Sequence, residues 1–300
     1  MGEKPGSGGG SGAGGKIAGV LRGVKRSNML APWLAFGCVS FVIYMAFSDG
    51  DFSFLLTYGS LTRCFAVLLL VTKLQQSQSA TGISAKSLHA YFFVFASRLL
   101  SILRHDGYLP YDRSGDWIYH CVEVASCLAV IVALLLVHGP YKRTYDATLD
   151  AFGNLAPIPP ALGAAALIVP AFVFAAVFHP GLNKDFLSDT TWTFAMYLES
   201  FAILPQLFLF QKASKQTATV DYLVGHFVAA LGLSRVVEML FWMNSFTELA
   251  DRNGNKYVGI LVLGTQCLHL IIMLDFFFFY FRSVSKGVPI SLPRQASDNV

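Results

Sequence analysis

Apolar residues run through this chain in long blocks rather than in alternation. After a glycine- and serine-rich start, hydrophobic runs fall at 29–47, 53–72, 88–103, 117–137, 161–178, 191–210, 223–242 and 257–281, each closed by a polar or Gly/Pro-containing stretch. A bilayer core about 30 Å thick takes about 20 helical residues at 1.5 Å rise each, so the pattern predicts eight spans, an anchor plus seven. The first run lacks a small-residue cleavage site and reads as an uncleaved anchor rather than a signal peptide. Residues 1–28, basic at Lys16, Arg22, Lys25 and Arg26, read as a disordered tail, 29–48 as the anchor, 53–283 as a seven-helix domain and 284–300 as a second tail.

Composition agrees with this pattern. The 300 residues are 54% hydrophobic and 13% charged, with a mean hydropathy of +0.54, against about 25% charged residues in soluble domains. The net charge of +4 is modest, and no basic patch interleaved with aromatics speaks for nucleic acid. Of the 22 Lys and Arg residues, fourteen fall on the side shared by both termini. Arg104, Arg113, Lys184, Arg252 and Lys256 fall on the other, and Arg63, Arg98 and Arg235 lie within spans. The positive-inside rule then puts both termini in the cytosol. Cys38, Cys64, Cys121, Cys127 and Cys267 sit in apolar runs with no CxxC pair and read as packing residues. Nothing resembles a catalytic triad, a metal site or a phosphate loop, so neither enzyme chemistry nor a cofactor is expected.

Charges inside spans carry the candidate chemistry. Beside the three arginines stand Glu123, Glu199, Glu238 and Asp275. A charge at the bilayer centre costs about 2.5–3.5 kcal/mol on insertion scales, so such residues face the bundle interior and one another. Glu199 lies midway in its run, two turns from Trp192 on one helix face, and Pro205-Gln206 follow where the proline kinks the helix and Gln206 would satisfy the break. Arg63, Arg98, Glu199 and Arg235 share one depth zone, and Glu238 follows Arg235 at i,i+3. Three guanidiniums around one cavity suit an anionic, carboxylate-bearing ligand. Trp192, Trp242 and Asp189 would contact the remainder of that ligand, Asp189 facing a cationic group. Two alternatives stand: the charges are structural ion pairs, and Trp242 is an interfacial belt residue.

Ser97-Arg98 and Ser234-Arg235 suggest a parallel three-helix repeat with the site between the halves. At the level of motifs the chain resembles a known family. Thr81-Gly82-Ile83-Ser84-Ala85-Lys86-Ser87, Ala96-Ser97-Arg98, Thr144-Tyr145-Asp146, Trp192-Thr193-Phe194, Tyr197-Leu198-Glu199-Ser200, Ile203-Leu204-Pro205-Gln206-Leu207 and Asp275-Phe276-Phe277 are similar to the ER lumen protein-retaining (KDEL) receptors, in unbroken order over 56–293. The resemblance implies an all-α membrane protein: a seven-helix bundle of two triple-helix repeats, related to SWEET and PQ-loop transporters. The extra N-terminal helix resembles a longer, divergent receptor-like branch.

The implied function is capture of KDEL-like C-terminal tails of lumenal proteins in the Golgi and their return to the ER, with a vesicle coat as cytosolic partner. By the same resemblance Arg98 engages the ligand's terminal carboxylate, Trp192 faces the ligand, and Arg235 with Glu199 forms the interhelical pair that responds to it. Trp242 and Asp275 also match. Elsewhere the chain departs from the family: Leu56 replaces an arginine, Arg63 the titrating histidine, Leu99 and Ser101 a tyrosine and an aspartate. Ser234 and Glu238 replace tyrosines, Phe241 an asparagine and Ser245 an arginine, and the basic tail shrinks to Arg282 and Lys286. Arginine keeps its charge at any physiological pH, which leaves Glu199, Glu238 or His226 to carry any pH response. A small-solute transporter of the related fold, or a trafficking regulator with a vestigial pocket, are the alternatives.

Overall fold

The apolar blocks become helices because a segment in lipid must satisfy every backbone polar group within itself. The computed structural model describes residues 12–48, 50, 52–105, 116–154, 159–215, 220–246, 256–288 and 290. The extreme N-terminal tail, Arg113, Arg252 and the tail beyond 290 therefore lie outside the described residues. The helices are α1 Gly12–Phe47, α2 Phe54–Ser77, α3 Ala85–Ile102, α4 Asp116–His138, α5 Ala165–Val177, α6 Phe186–Phe201, α7 Leu204–Ser214, α8 Tyr222–Asn244 and α9 Tyr257–Lys286. Among the described residues the only β-pairing is an isolated bridge between Val220 and Ile290.

Among the described residues six stretches are long and apolar enough to cross a membrane: Leu30–Phe47, Phe54–Ser77, Trp117–His138, Phe186–Ser214, Tyr222–Asn244 and Tyr257–Lys286. With α3, which carries Lys86 and Arg98, and the 13-residue α5, they account for the eight runs of the sequence. The protein is a multi-pass membrane helical bundle.

The bundle is built from two triplets. In the first, α4 packs against both α2 and α3; in the second, α9 packs against both α6 and α8. The triplets meet through α2 on α8 and α3 on α6, and α5 lies along α6 as the connector. Each triplet thus has its third helix between the first two and runs in the same direction, which is a parallel repeat. Close approach rests on small residues, as helix association in lipid requires: Ala66, Ala90, Ala133, Ala195, Ala202 and Ala230 are fully buried.

The Pro-Gln pair acts differently from the sequence expectation. The helix breaks at Ala202 and Ile203, and Pro205 sits in the first turn of α7, where a missing N–H costs nothing. Gln206 does not repair its own helix but ties α7 to the start of α3. Its Oε1 accepts from Ser84 N at 2.8 Å, its Nε2 donates to Gly82 O at 2.9 Å, and its backbone N–H donates to Ser87 Oγ at 3.0 Å. Ser84 is itself the N-cap of α3 and donates to Asp150 Oδ1 at 2.8 Å.

α1 is peripheral. Trp33 Nε1 donates to Tyr280 Oη at 3.1 Å and approaches His226 Nδ1 at 3.3 Å, and Phe36 stacks on Phe65 with centroids 4.5 Å apart. His226 is therefore a docking residue near the end that carries both termini, removed from the intramembrane charges. The structure also carries α1 back to Gly12, where the sequence reading begins it at 29. Residues 16–28 contain no proline and helix-compatible residues around their two glycines, so the anchor helix continues through them. The cysteines are free, but only Cys64 and Cys127 are buried; Cys38, Cys121 and Cys267 lie on helix surfaces.

Gln206→Ala should lower the unfolding free energy by about 2–3 kcal/mol, since it strands the Ser84 N–H and the Gly82 carbonyl at the start of α3. Thermal unfolding in detergent is the measurement, and Gln75→Ala at an exposed position should leave the midpoint unchanged.

Candidate functional site

Six charges converge where the two triplets meet. Arg63 comes from α2, Arg98 from α3, Glu123 from α4, Glu199 from α6, and Arg235 and Glu238 from α8. All six are buried, three guanidiniums against three carboxylates. Arg63 is the centre and touches all three acids. Its Nη1 donates to Glu238 Oε1 at 2.7 Å and to Glu199 Oε1 at 3.2 Å, while its Nη2 pairs with Glu123 Oε1 and donates to Ser60 Oγ at 2.9 Å. The guanidinium also lies 5.7 Å from the Phe95 ring centroid.

Glu199 is shared by all three arginines: Arg98 Nη2 holds Oε2, and Arg235 Nη2 holds the Oε1 that faces Arg63. Arg235 Nη1 pairs with Glu238 Oε2 at 2.9 Å, the i,i+3 pair that the spacing predicts. From α9, Gln266 Nε2 donates to Glu238 Oε2 at 3.3 Å, and His269 Nδ1 lies 2.9 Å from Glu199 O. Burying six charges is tolerable only because each meets opposite charge; removing one partner from a buried pair typically costs about 3–5 kcal/mol.

Above the charges lies a narrow cavity of about 30 Å³, room for about one water. Arg63, Arg98, Arg235, Glu238 and Gln266 form its polar part, and Leu56, Tyr119, Trp192, Met196, Trp242 and Val262 its walls. The walls belong to an apolar lid with Ile102, Phe241 and Val258, in which the Phe241 and Trp242 rings meet edge-on at 4.7 Å. This lid stands at the end of the bundle opposite the termini. Beside it Asp185 N-caps α6 and pairs with Arg104 at 3.5 Å and His105 at 3.8 Å from the end of α3. Hydrogen bonds from Ser188 hold the Asp185 carboxyl below the usual carboxylate range, so this clamp stays charged at mildly acidic pH.

Of the residues singled out from sequence, Arg63, Arg98, Trp192, Arg235, Glu238 and Trp242 meet at the cavity, with Glu199 bonded beneath it. Trp242 is buried in the lid and so is not a belt residue. Asp189 stands apart from the cavity and accepts from Asn183 N at 3.1 Å, holding the turn before α6. Asp275 is exposed on the outer face of α9, away from the cluster. Sequence reasoning noted Glu123 as an intramembrane acid without its role, and it missed Ser60, Tyr119, Gln266 and His269. Gln266 and His269 at i,i+3 in an apolar run were the available signal.

These features define a class: a multi-pass membrane bundle of two helix triplets with a buried arginine–glutamate site under an apolar lid. The family model described as ER lumen protein retaining receptor matches residues 79–245. ER lumen protein-retaining receptor 2 of Xenopus tropicalis is 30% identical over 236 residues, covering 78% of this chain and 96% of its own. ER lumen protein-retaining receptor of Petunia hybrida is 30% identical, and receptor 2 of Danio rerio 29%, each over 237 residues with 78% of this chain and 96% of the relative covered. The chain belongs to the ER lumen protein retaining receptor family.

Arg63→Met should leave the acids under-compensated and cost about 3–5 kcal/mol, seen as loss of monodisperse protein or a large fall in thermal midpoint. Adding Glu123→Gln should recover part of that loss, and a double mutant no better than the single one would contradict the pairing.

Proposed function

We propose that this protein is a receptor for ER lumenal proteins that binds their KDEL-like C-terminal tails from the lumen and returns them from the Golgi to the ER. The lid end of the bundle then faces the lumen and both termini the cytosol, in keeping with the distribution of Lys and Arg. Among the described residues, exposed Arg282 and Lys286 at the end of α9 are basic side chains that would meet a vesicle coat.

The observation that carries the reading is Arg98. It lines the cavity, and its buried Nη1 has no hydrogen-bond acceptor, with Glu123 Oε1 at 3.6 Å as its nearest ion-pair contact. A terminal carboxylate is the acceptor that a guanidinium edge fits best. A cavity of about 30 Å³ admits no tail, so binding requires Trp192 and Trp242 to part and the bundle to populate an open state. The same closure, with the arginines already neutralised, favours a second reading in which the pocket is vestigial and the protein regulates trafficking without a tail ligand.

Titration of protein in nanodiscs with a Lys-Asp-Glu-Leu peptide separates the two. The receptor reading expects the free acid to bind and the C-terminal amide to bind at least about thirtyfold more weakly, and Arg98→Ala to lose about 2–5 kcal/mol. With arginine at position 63, the affinity should stay within about threefold between pH 5.5 and 7.4. Equal binding of acid and amide, or no binding of either, leaves the vestigial reading.

A further inference from the structure

Glu238 puts a carboxylate into the part of the site where its arginines would otherwise attract an anion. Of the three clustered glutamates it is the one that lines the cavity. Its two oxygens reach different arginines, Oε1 to Arg63 Nη1 at 2.7 Å and Oε2 to Arg235 Nη1 at 2.9 Å. A free carboxylate drawn into the cavity would adopt the same bridging geometry. Charge points the same way: without Glu238 the cluster holds three guanidiniums against Glu123 and Glu199, an excess of one positive charge that matches one missing anion.

The helix opposite is shaped for this side chain. A Cβ added at Gly59 of α2 would lie 2.5 Å from Glu238 Cγ and 3.3 Å from Oε1, so glycine there leaves the space in which the acid lies. Gln266 Nε2 at 3.3 Å completes its hydrogen bonding from α9.

We propose that Glu238 is an intramolecular carboxylate occupying the anion subsite between Arg63 and Arg235, and that a ligand's carboxylate binds there by displacing it. The second half of this inference rests on the receptor reading; the first does not. Displacement lowers the apparent affinity for any simple carboxylate, because the competent state is populated only when Glu238 has left. The subsite is thereby closed to small monocarboxylates and opened by a ligand that makes further contacts.

The test compares wild type, Glu238→Gln and Glu238→Tyr in nanodiscs, tyrosine being the residue that the family resemblance places at this position. Two probes are used in chloride-free buffer: sodium acetate, with acetamide as neutral control and thermal midpoint as readout, and the Lys-Asp-Glu-Leu free acid by titration. Saturable stabilisation by acetate of both variants and not of wild type is the expected result, with tail affinity in the variants raised about tenfold. Should acetate act no differently from acetamide on the variants, the subsite does not exist and the inference is overturned. If acetate stabilises the variants while no protein binds the tail, the receptor reading falls and Glu238 as internal anion stands. If the tail binds all three proteins alike and acetate has no effect, the reverse holds. Should neither variant be monodisperse, Gly59→Ala decides by the same acetate measurement, because its added methyl displaces the Glu238 side chain while keeping both arginines.

Discussion

One guanidinium in the middle of the bilayer sets the terms for the rest of the molecule. Arg63 is 1% exposed, and its charge cannot be relieved by losing a proton. A cation so placed must be met by acids, and the acids must come from other helices, because along its own span α2 carries none. Glu123, Glu199 and Glu238 therefore fix the rotation of α4, α6 and α8 about their axes at the same time as they neutralise Arg63. In lipid, where apolar faces gain little by meeting one another, such polar contacts specify orientation more strongly than hydrophobic burial does.

The repeat makes this convergence achievable. Arg98 on α3 and Arg235 on α8 each belong to the second helix of their triplet in chain order, and both reach Glu199, one at each carboxylate oxygen. Because α3 packs on α6 and α2 on α8, the seam between the triplets is lined by the helices that carry these charges. Gln206 locks the seam near the termini by binding the start of α3, and the Asp185 clamp joins the far end of α3 to the start of α6. The charge cluster thus sits between two ties that hold α3 against α6/α7.

Much of this was legible in the sequence, for reasons that differ by level. Span positions follow from hydropathy alone, and the residues that make the site announced themselves as charges where charge is costly. Motif resemblance placed the chain in its family. What hydropathy does not encode is rotation about each helix axis, which packing sets. For that reason Glu123 was visible as an intramembrane acid but not as the partner of Arg63, while Asp189 and Asp275, equally acidic, do not line the cavity. Gln206 was expected to mend the break beside it. Its partners, 119 to 124 residues distant in sequence, are brought close only by the meeting of the triplets. The cysteines were placed by the apolar company they keep, yet in a membrane an apolar neighbourhood does not mean an interior one, and three of the five lie on the surface.

If arginine at 63 stands in place of a titrating histidine, as the family resemblance implies, the logic of the site changes and not only its charge. A histidine beside these acids would alternate between a neutral form that leaves them repelling and a charged form that draws them together, so lumenal acidity would select the conformation. Arg63 keeps its charge at every physiological pH, and the three acids balance the charge of the three arginines while Arg98 Nη1 stays without an acceptor. The narrow cavity accords with that balance: with no net charge in the cluster to attract an anion, the tryptophan walls gain little by parting at rest. Selection of an open state must then come from the ligand's own contacts.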